Sequence, residues 1–278
     1  CYMNSILQQL SASNSVIASL AQSKTELRAD IQLLLDLFSN QRFGLRNYYS
    51  TSQYCEAYSK FNTDFHTHEQ EDAVEYFSML LESCPQETKE LFEGKYKYII
   101  SKGEADVKSQ ILSEREEPFT TIDVSVSGIE DLVSSIRQLL TPESLTKDNQ
   151  YQTQSGEKVD ALRYTRFHKL PRFLVFHLKR FELNYATLTR KKINSCFEFP
   201  TTLNMSEFSQ EGCLYRLRGA VIHMGVAEGG HYVSFIRRDR KWILCDDSSL
   251  SERSEESFLE LAYGSDSSDQ NAYLLFFE

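Results

Sequence analysis

Cysteine is scarce and scattered in this sequence. Six cysteines stand far apart among 278 residues, and none belongs to a CxxC pair. This spacing argues against a disulfide scaffold and predicts reduced thiols. Reduced thiols are typical of an intracellular protein, so we expect a cytoplasmic or nuclear location.

Long hydrophobic runs and excess positive charge are also absent. No apolar run approaches the roughly 18–20 residues of a membrane-spanning helix, so membrane insertion is not expected. Asp and Glu number 40 against 30 Lys and Arg, which gives a formal net charge of −10. Nucleic-acid-binding surfaces are usually basic, so this balance argues against nucleic acid as a partner and suits a basic one. The hydrophobic fraction of 41% is ordinary for a folded globular chain of this length.

Helical periodicity marks the first 90 residues. Apolar residues in CYMNSILQQL recur on one face, which predicts a helix with Cys1 at its N-terminal end. Ser23–Glu26 and Thr67–Gln70 have the pattern of capping boxes and predict helices that begin behind them. The second of these helices has an apolar face, and Asp72 and Glu75 fall on a different, solvent-facing side.

Strand patterns begin after residue 94. KYKYII and FTTIDVSV are predicted strands separated by a polar stretch, and IEDLVSSIRQLL is a predicted short helix. From residue 172 onward the predicted strands are RFLVFHLKRF, LRGAVIHM, HYVSFIRR, KWILCDD and AYLLFF. Polar segments separate them, so antiparallel pairing is the simplest arrangement. Helices followed by strands indicate an α+β fold rather than alternating α/β.

Two segments suggest thiol chemistry. The helix dipole and the free N–H groups at a helix N-terminus favour a thiolate at Cys1, although a lone cysteine is more often a packed structural thiol. His231 follows two glycines and begins a predicted strand. An imidazole beside a thiol would make the thiol nucleophilic at neutral pH, and the alternative is a loop histidine without a role.

A hairpin register offers His231 an acidic partner. If the chain turns between Arg238 and Asp239, His231 faces Asp246 across the two strands. Facing side chains are close enough for a carboxylate to orient an imidazole. A bulge or a three-residue loop would bring Asp247 opposite instead. The alternative without a catalytic role is that the two aspartates only cap a turn. The spacing of residues in the sequence does not show that Cys1 lies near His231.

Several blocks in this order resemble the ubiquitin-specific protease family of deubiquitinating enzymes. They are CYMNSILQQL, HEQEDAVEYFSMLLE, LPRFLVFHLKRF, FEFPTTLNM, GGHYVSFIRRDRKWILCDDSSL and the closing AYLLFF. The resemblance covers nearly the whole chain. It implies one papain-like cysteine peptidase domain over residues 1–278: a mostly helical thumb at 1–90, β fingers at 91–165 and an antiparallel β palm at 166–278.

The same resemblance implies roles for individual residues. Cys1 would be the nucleophile, His231 the general base and Asp246 its orienting residue, with Asp247 assisting or substituting. The reaction would be hydrolysis of the isopeptide or peptide bond after the C-terminal glycine of ubiquitin, so ubiquitin and ubiquitinated proteins would be the partners. The residues expected to bind the ubiquitin tail are Asp72, Glu75, His223, Gly229, Gly230 and Tyr232.

The sequence departs from the family pattern in two places. Many members hold a structural zinc in the fingers through two CxxC pairs, whereas Thr153 and Gly156 stand at one pair of positions and no cysteine lies between Tyr98 and Glu114. We therefore expect no cofactor or metal, and interpret Cys84, Cys196, Cys213 and Cys245 as packed thiols. The residues that precede the cysteine in the family motif, which complete the oxyanion hole, are also missing. We therefore expect this chain to be an excerpt of a longer protein, cut at the catalytic cysteine.

Two alternatives to an active protease stay open at this point. One is a ubiquitin-binding scaffold of the same fold without catalysis. The other takes Cys1 as a true N-terminal nucleophile that uses its own amine as the base, which a following helix makes less favourable.

Overall fold

A computed structural model describes residues 1–43, 49–63, 70–103, 110–184, 188–227 and 229–278, and it has a mixed α+β fold. The prediction of the fold class is therefore confirmed. The helices are α1 Tyr2–Ser11, α2 Asn14–Ala21, α3 Ala29–Phe43, α4 Ser52–Phe61, α5 Ala73–Ser83, α6 Gln86–Lys89, α7 Leu132–Leu139 and α8 Glu255–Tyr263. None of the helices within these ranges is long and apolar enough to cross a membrane.

Sixteen strands are found in the described ranges. They are β1 Gly94–Lys102, β2 Gln110–Phe119, β3 Ile122–Ser125, β4 Glu143–Leu145, β5 Tyr151–Gln152, β6 Lys158–Val159, β7 Ala161–Lys169, β8 Leu174–Lys179, β9 Phe181–Asn184, β10 Thr189–Lys192, β11 Thr202–Asn204, β12 Leu214–Val226, β13 Gly229–Arg238, β14 Lys241–Asp246, β15 Ser249–Arg253 and β16 Gln270–Phe277. Most of the helix precedes most of the strand, as the sequence pattern indicated.

The strands form two main sheets. The larger runs in the order β15-β14-β13-β12-β16-β8-β3, with β11 added beside β12, and the smaller runs in the order β2-β1-β7-β4. Hairpins β9–β10 and β5–β6 stand apart from both. Pairing is antiparallel as predicted between the described strands, except for β3, which lies parallel to β8.

The larger sheet separates two hydrophobic cores. Val221, Tyr273 and Phe276 point from the sheet into the core formed with α1 to α5. Their neighbours along the same strands, among them Ile222 and Leu275, point into the second core with α7 and α8. The alternation follows from the two-residue repeat of a strand, and it makes the sheet a wall with helices on both sides.

Several predicted element boundaries were wrong. The hydroxyl of Ser23 bonds to Thr25 in a local turn, and α3 begins only at Ala29, so the first capping box is not one. Thr67 lies outside the described residues, and α5 begins at Ala73. A short side chain that bonds to its own backbone favours turns as readily as helix starts, which explains the error.

The fingers region contains a strand that the polarity of the sequence concealed. Strand β2 covers SEREEP, which the sequence showed only as a polar stretch between two predicted strands, and its residues are mostly exposed because it lies at the edge of its sheet. FTTIDVSV, predicted as one strand, divides between the ends of β2 and β3. An edge strand that is exposed on both faces shows no alternation of polar and apolar residues, so periodicity cannot reveal it.

Candidate active site

Cys1 is the N-cap residue of α1, as the sequence predicted. Its carbonyl accepts the first hydrogen bond of the helix from the Ser5 N–H at 2.9 Å, and its side chain is partly buried. The N–H groups of the first turn, which have no acceptor within the helix, therefore point towards the thiol end of the helix. Such a position favours a thiolate and could also hold an oxyanion.

The other cysteines have different surroundings. Burial raises the pKa of the Cys84 thiol to about 12 and that of Cys245 to about 11, so both are unreactive packed thiols. Cys213 is half-buried, but Cys196 is exposed, so the prediction that Cys196 is packed was wrong. All six cysteines are free thiols.

His231 and Asp246 are in contact, although not through the predicted pairing. The β13–β14 hairpin turns at 239–240 and pairs Ser234 with Cys245, so the strands are two residues out of the predicted register. His231 also does not begin its strand, which starts at Gly229. A two-residue shift keeps the same side-chain face, and diagonal neighbours on one face remain within reach of each other. The ring Nε2 of His231 accordingly lies 2.6 Å from Oδ1 of Asp246.

This contact fixes which ring nitrogen can act on a thiol. An ionised carboxylate only accepts hydrogen bonds, so the Nε2–H group of His231 donates a hydrogen bond to Asp246. In the neutral imidazole the lone pair is then on Nδ1. His231 is partly exposed, and its free ring edge is available to an incoming group.

Asp247 connects this pair to α1. Its Oδ1 accepts a hydrogen bond from Asn4 Nδ2 at 2.9 Å and lies 3.8 Å from the backbone nitrogen of Cys1. The backbone of Asp247 has a φ of 47°, in the left-handed region that aspartate tolerates, and it forms the two-residue turn before β15. Asp247 is therefore a turn residue, as the alternative to a catalytic role suggested, and it also contacts α1 through Asn4.

The three polar groups form one cluster. The ligand atoms of His231, Asp246 and Asp247 lie within 4.8 Å of one another, a spacing that could also hold a metal ion. Together with the Asp247 contacts to α1, this cluster brings the predicted catalytic residues from the two ends of the sequence to one place. Asn4 was missed by the sequence interpretation, although it lies one turn after Cys1 on the same helix.

The predicted acidic tail-binding residues differ in their surroundings. Asp72 is the N-cap of α5, where its Oδ1 accepts from the Val74 N–H at 2.7 Å, and its Oδ2 accepts from the Tyr273 hydroxyl at 2.6 Å. It is thus half-buried and oriented, which corrects the solvent-facing position expected for it. Glu75 is exposed in the first turn of α5, as predicted.

His223 lies beneath the chain at Gly230. A Cβ on residue 230 would stand 2.3 Å from the Met224 carbonyl oxygen and 2.5 Å from Nε2 of His223. Among the described residues, a Cβ on Gly229 would meet Gln70 alone, at 3.5 Å. Both glycines were expected to bind the ubiquitin tail, and the steric requirement for glycine falls on Gly230.

Burial and a neighbouring cation keep His223 neutral. Burial, followed by the positive charge of Lys192, lowers the pKa of His223 to about 4. Its ring meets Tyr232 edge-on with 4.9 Å between centroids, and Tyr232 in turn packs against Tyr273 at 5.7 Å. Burial also raises the pKa of Tyr232. These rings and Asp72 form one packed group between α5 and the large sheet, in which His223 and Tyr273 are buried.

Lys192 supports the turn between β12 and β13 from below. Its Nζ donates to the carbonyls of His223 at 3.0 Å and Gly225 at 3.1 Å, and also to that of Asp269. Burial lowers the pKa of Lys192 to about 8. The sequence did not predict this role for Lys192, because its three acceptors are backbone atoms of distant residues.

The fingers contain a hairpin where the family pattern has cysteines. Thr153 and Gly156 lie in the turn between β5 and β6, which closes through the Thr153 N–H and the Glu157 carbonyl at 2.9 Å. Gly156 has a φ of 87°, which favours glycine. The neighbouring sheet packs on an aromatic cluster in which Tyr96 lies 4.3 Å from Phe119 between ring centroids. The absence of a structural zinc stays a prediction.

Comparison with known proteins gives a consistent family match. A family model described as ubiquitin carboxyl-terminal hydrolase matches residues 1–277. Ubiquitin carboxyl-terminal hydrolase 34 of Homo sapiens is 25% identical over 289 residues, which cover 90% of this chain and 8% of the relative. Ubiquitin carboxyl-terminal hydrolase 15 of Schizosaccharomyces pombe is 26% identical over 284 residues, covering 95% of this chain and 25% of the relative.

A third relative has a similar extent. Ubiquitin carboxyl-terminal hydrolase 7 of Drosophila melanogaster is 29% identical over 283 residues, which cover 95% of this chain and 24% of the relative. The chain therefore spans about a quarter or less of the length of these three relatives.

Proposed function

Because the chain belongs to the ubiquitin carboxyl-terminal hydrolase family, we propose that it is the catalytic part of a cysteine-type deubiquitinating peptidase. Its substrates are ubiquitin conjugates, and the bond that it hydrolyses follows the C-terminal glycine of ubiquitin. The observation that carries the proposal is the His231–Asp246 hydrogen bond of 2.6 Å. It lies beside the N-terminus of α1, the helix that Cys1 caps. An intracellular location suits the free thiols.

The first half of the reaction follows from the two ring nitrogens of His231. Nδ1 takes the proton of the Cys1 thiol, and the imidazolium that forms is stabilised by Asp246 on Nε2. The thiolate attacks the carbonyl carbon of the terminal glycine. The C–N bond to the substrate lysine then breaks, the proton on Nδ1 passes to the leaving amine, and ubiquitin remains as a thioester on Cys1.

Water completes the cycle. Nδ1 accepts a proton from a water molecule as its oxygen attacks the thioester carbonyl. The C–S bond breaks, the proton on Nδ1 returns to the sulfur, and ubiquitin leaves as a carboxylic acid that loses its proton to water. The N–H groups of the first turn of α1 supply part of the stabilisation for the negative oxygen formed in each step.

The tail of ubiquitin reaches this site along Asp72, Gly230 and Tyr232, with the buried ring of His223 beneath Gly230. Asp72 and the exposed Glu75 offer carboxylates to cationic side chains of the tail. The bare backbone at Gly230 leaves room for a narrow glycine-ended chain above the neutral ring of His223.

A ubiquitin that carries a C-terminal thiol-reactive group tests this function on the full-length protein. We expect a covalent adduct on Cys1 and its loss in Cys1→Ala, and strong loss in His231→Ala. Persistence of hydrolysis in Cys1→Ala would contradict the assignment of the nucleophile. Binding of ubiquitin without any adduct in the unmodified protein would instead support a non-catalytic scaffold.

A further inference from the structure

Gln9 is a buried polar residue on the inner face of α1. Its side chain is only 7% exposed. The amide Nε2 shares its two hydrogens among three acceptors, the Ser234 hydroxyl at 2.7 Å, the Phe235 carbonyl at 2.9 Å and the Ala220 carbonyl at 3.2 Å. Two of these acceptors are carbonyl oxygens, so only the amide nitrogen can satisfy them. Gln9 therefore connects α1 with both β12 and β13.

The sheet is shaped to receive this side chain. A Cβ added to Gly219 would stand 1.9 Å from Oε1 of Gln9 and 2.7 Å from its Cδ and Nε2. Gly219 is buried and lies beside Ala220, within β12, where a glycine has no turn to make. A glycine inside a strand often marks the close approach of another group, and here that group is the Gln9 amide.

The position of Gln9 relates it to both halves of the reactive pair. Gln9 is eight residues after Cys1 on α1, about 12 Å along the helix axis. Its acceptor Ser234 is three residues after His231 on β13, roughly 10 Å along the strand. The Gln9 amide thus bonds to β13, the strand of His231, while Gln9 itself belongs to α1, the helix that Cys1 caps. A slide or rotation of α1 on the sheet would break all three hydrogen bonds.

We propose that Gln9 is a positioning residue which sets the depth and rotation of α1 on β13, and thereby the alignment of the Cys1 thiol with the His231 imidazole. This inference rests on the roles proposed above for Cys1 and His231. Apolar packing alone permits small shifts of a helix, because dispersion contacts are not directional. Hydrogen bonds from the two amide hydrogens to fixed backbone and hydroxyl acceptors are directional and hold the helix in one position.

The test compares the full-length protein with Gln9→Leu, which keeps the bulk of the side chain but cannot donate. We expect kcat for a ubiquitin conjugate to fall by about tenfold or more, as for a misplaced reacting group. KM should change by less than about twofold, because Asp72 and His223 are untouched. The pH at which Cys1 is half-alkylated at a fixed time should shift upwards, towards the behaviour of a free thiol.

A helix–sheet hydrogen bond far from the site provides the control. Ser135 on α7 donates to the Ser125 carbonyl at 2.7 Å, and Ser135→Ala removes a buried bond of the same kind. It should lower stability but leave kcat and the alkylation profile unchanged. If Gln9→Leu loses stability with the same unchanged kcat and profile, Gln9 is only structural and the proposal is overturned.

A double substitution keeps the proposal testable if Gln9→Leu folds poorly. Gln9→Ala vacates the space that a methyl group at position 219 needs, so Gln9→Ala/Gly219→Ala should be better packed than Gln9→Ala. The double variant should regain stability without regaining kcat. Recovery of kcat together with stability would contradict positioning by the amide. Absence of hydrolysis in the unmodified protein would contradict the proposed function rather than this role of Gln9.

Discussion

The carboxylate of Asp246 contacts the imidazole of His231 from a diagonal position on the sheet. The register that pairs Ser234 with Cys245 would place Val233, not His231, opposite Asp246. The hydrogen bond of 2.6 Å therefore requires both side chains to extend towards each other beyond the last paired residues. Asp247, the next residue, faces α1 instead.

The two neighbouring aspartates should respond differently to the same substitution. We expect Asp246→Asn to lower kcat by at least about tenfold, because the charge that stabilises the imidazolium is lost. Asp247→Asn should change kcat by less than about threefold, because an amide oxygen can still accept from Asn4 and asparagine tolerates the left-handed turn. Steady-state kinetics on a ubiquitin conjugate distinguish the two. The reverse order would show Asp247 to be the orienting residue.

Gly229 and Gly230, which we propose bind the ubiquitin tail, form another matched pair. Gly230→Ala should lower kcat/KM by about tenfold or more, because the new methyl group collides with the backbone at Met224 and with the His223 ring. Gly229→Ala should remain within about twofold of the unmodified protein, because the space around its Cβ is ordinary. Equal loss in both variants would mean that flexibility of the chain, rather than close approach, explains the glycines.

Removing the Tyr273 hydroxyl should weaken ubiquitin binding. This hydroxyl donates to Asp72 at 2.6 Å and orients its carboxylate. We expect Tyr273→Phe to raise KM several-fold, about 1 kcal/mol for one hydrogen bond, with kcat nearly unchanged. Tyr263→Phe, which removes a hydroxyl bonded to the Phe199 carbonyl elsewhere in the palm, is the control and should leave KM unchanged. A lower kcat at constant KM in Tyr273→Phe would place the hydroxyl in the chemical step instead.

His223 should make the fold sensitive to mild acid. Its pKa is about 4 in the folded chain and 6.5 for the free side chain, so between these values the unfolded chain binds more protons. Stability should therefore fall as the pH is lowered from 6.5 to 4, by roughly 3 kcal/mol from this residue. Urea unfolding of His223→Gln should show a smaller loss over that interval. An identical loss in both proteins would show that other groups cause it.

The sequence predicted the fold class and the residues of the reactive cluster better than it predicted their pairing. The pairing of His231 with Asp246 relied on an incorrect turn, yet the two residues meet because a two-residue shift preserves the face of a strand. The position of Cys1 depended only on local helical periodicity, and it was correct. The strand β2 and the start of α3 were missed because edge exposure and side-chain turns hide them from periodicity.

Contacts between distant residues were beyond prediction from the sequence. Asn4 and Asp247 are 243 residues apart, and Gln9 and Ser234 are 225 apart, so neither contact has a local signal. Gly219 looks unremarkable until the amide of Gln9 is seen beside it. The anchoring of Lys192 is hidden for the same reason, since its three acceptors are carbonyl groups that every residue possesses.

The order of strands in the large sheet has a consequence during synthesis. Strand β16 is the last of the described chain, yet it lies between β12 and β8 near the centre of the sheet. A ribosome releases α1, with its thiol, long before β16 exists to join the two parts of the sheet. The sheet against which α1 packs is therefore completed only when β16 has been synthesised. Until this region has been translated, a nascent chain would carry the Cys1 thiol without the completed sheet behind α1.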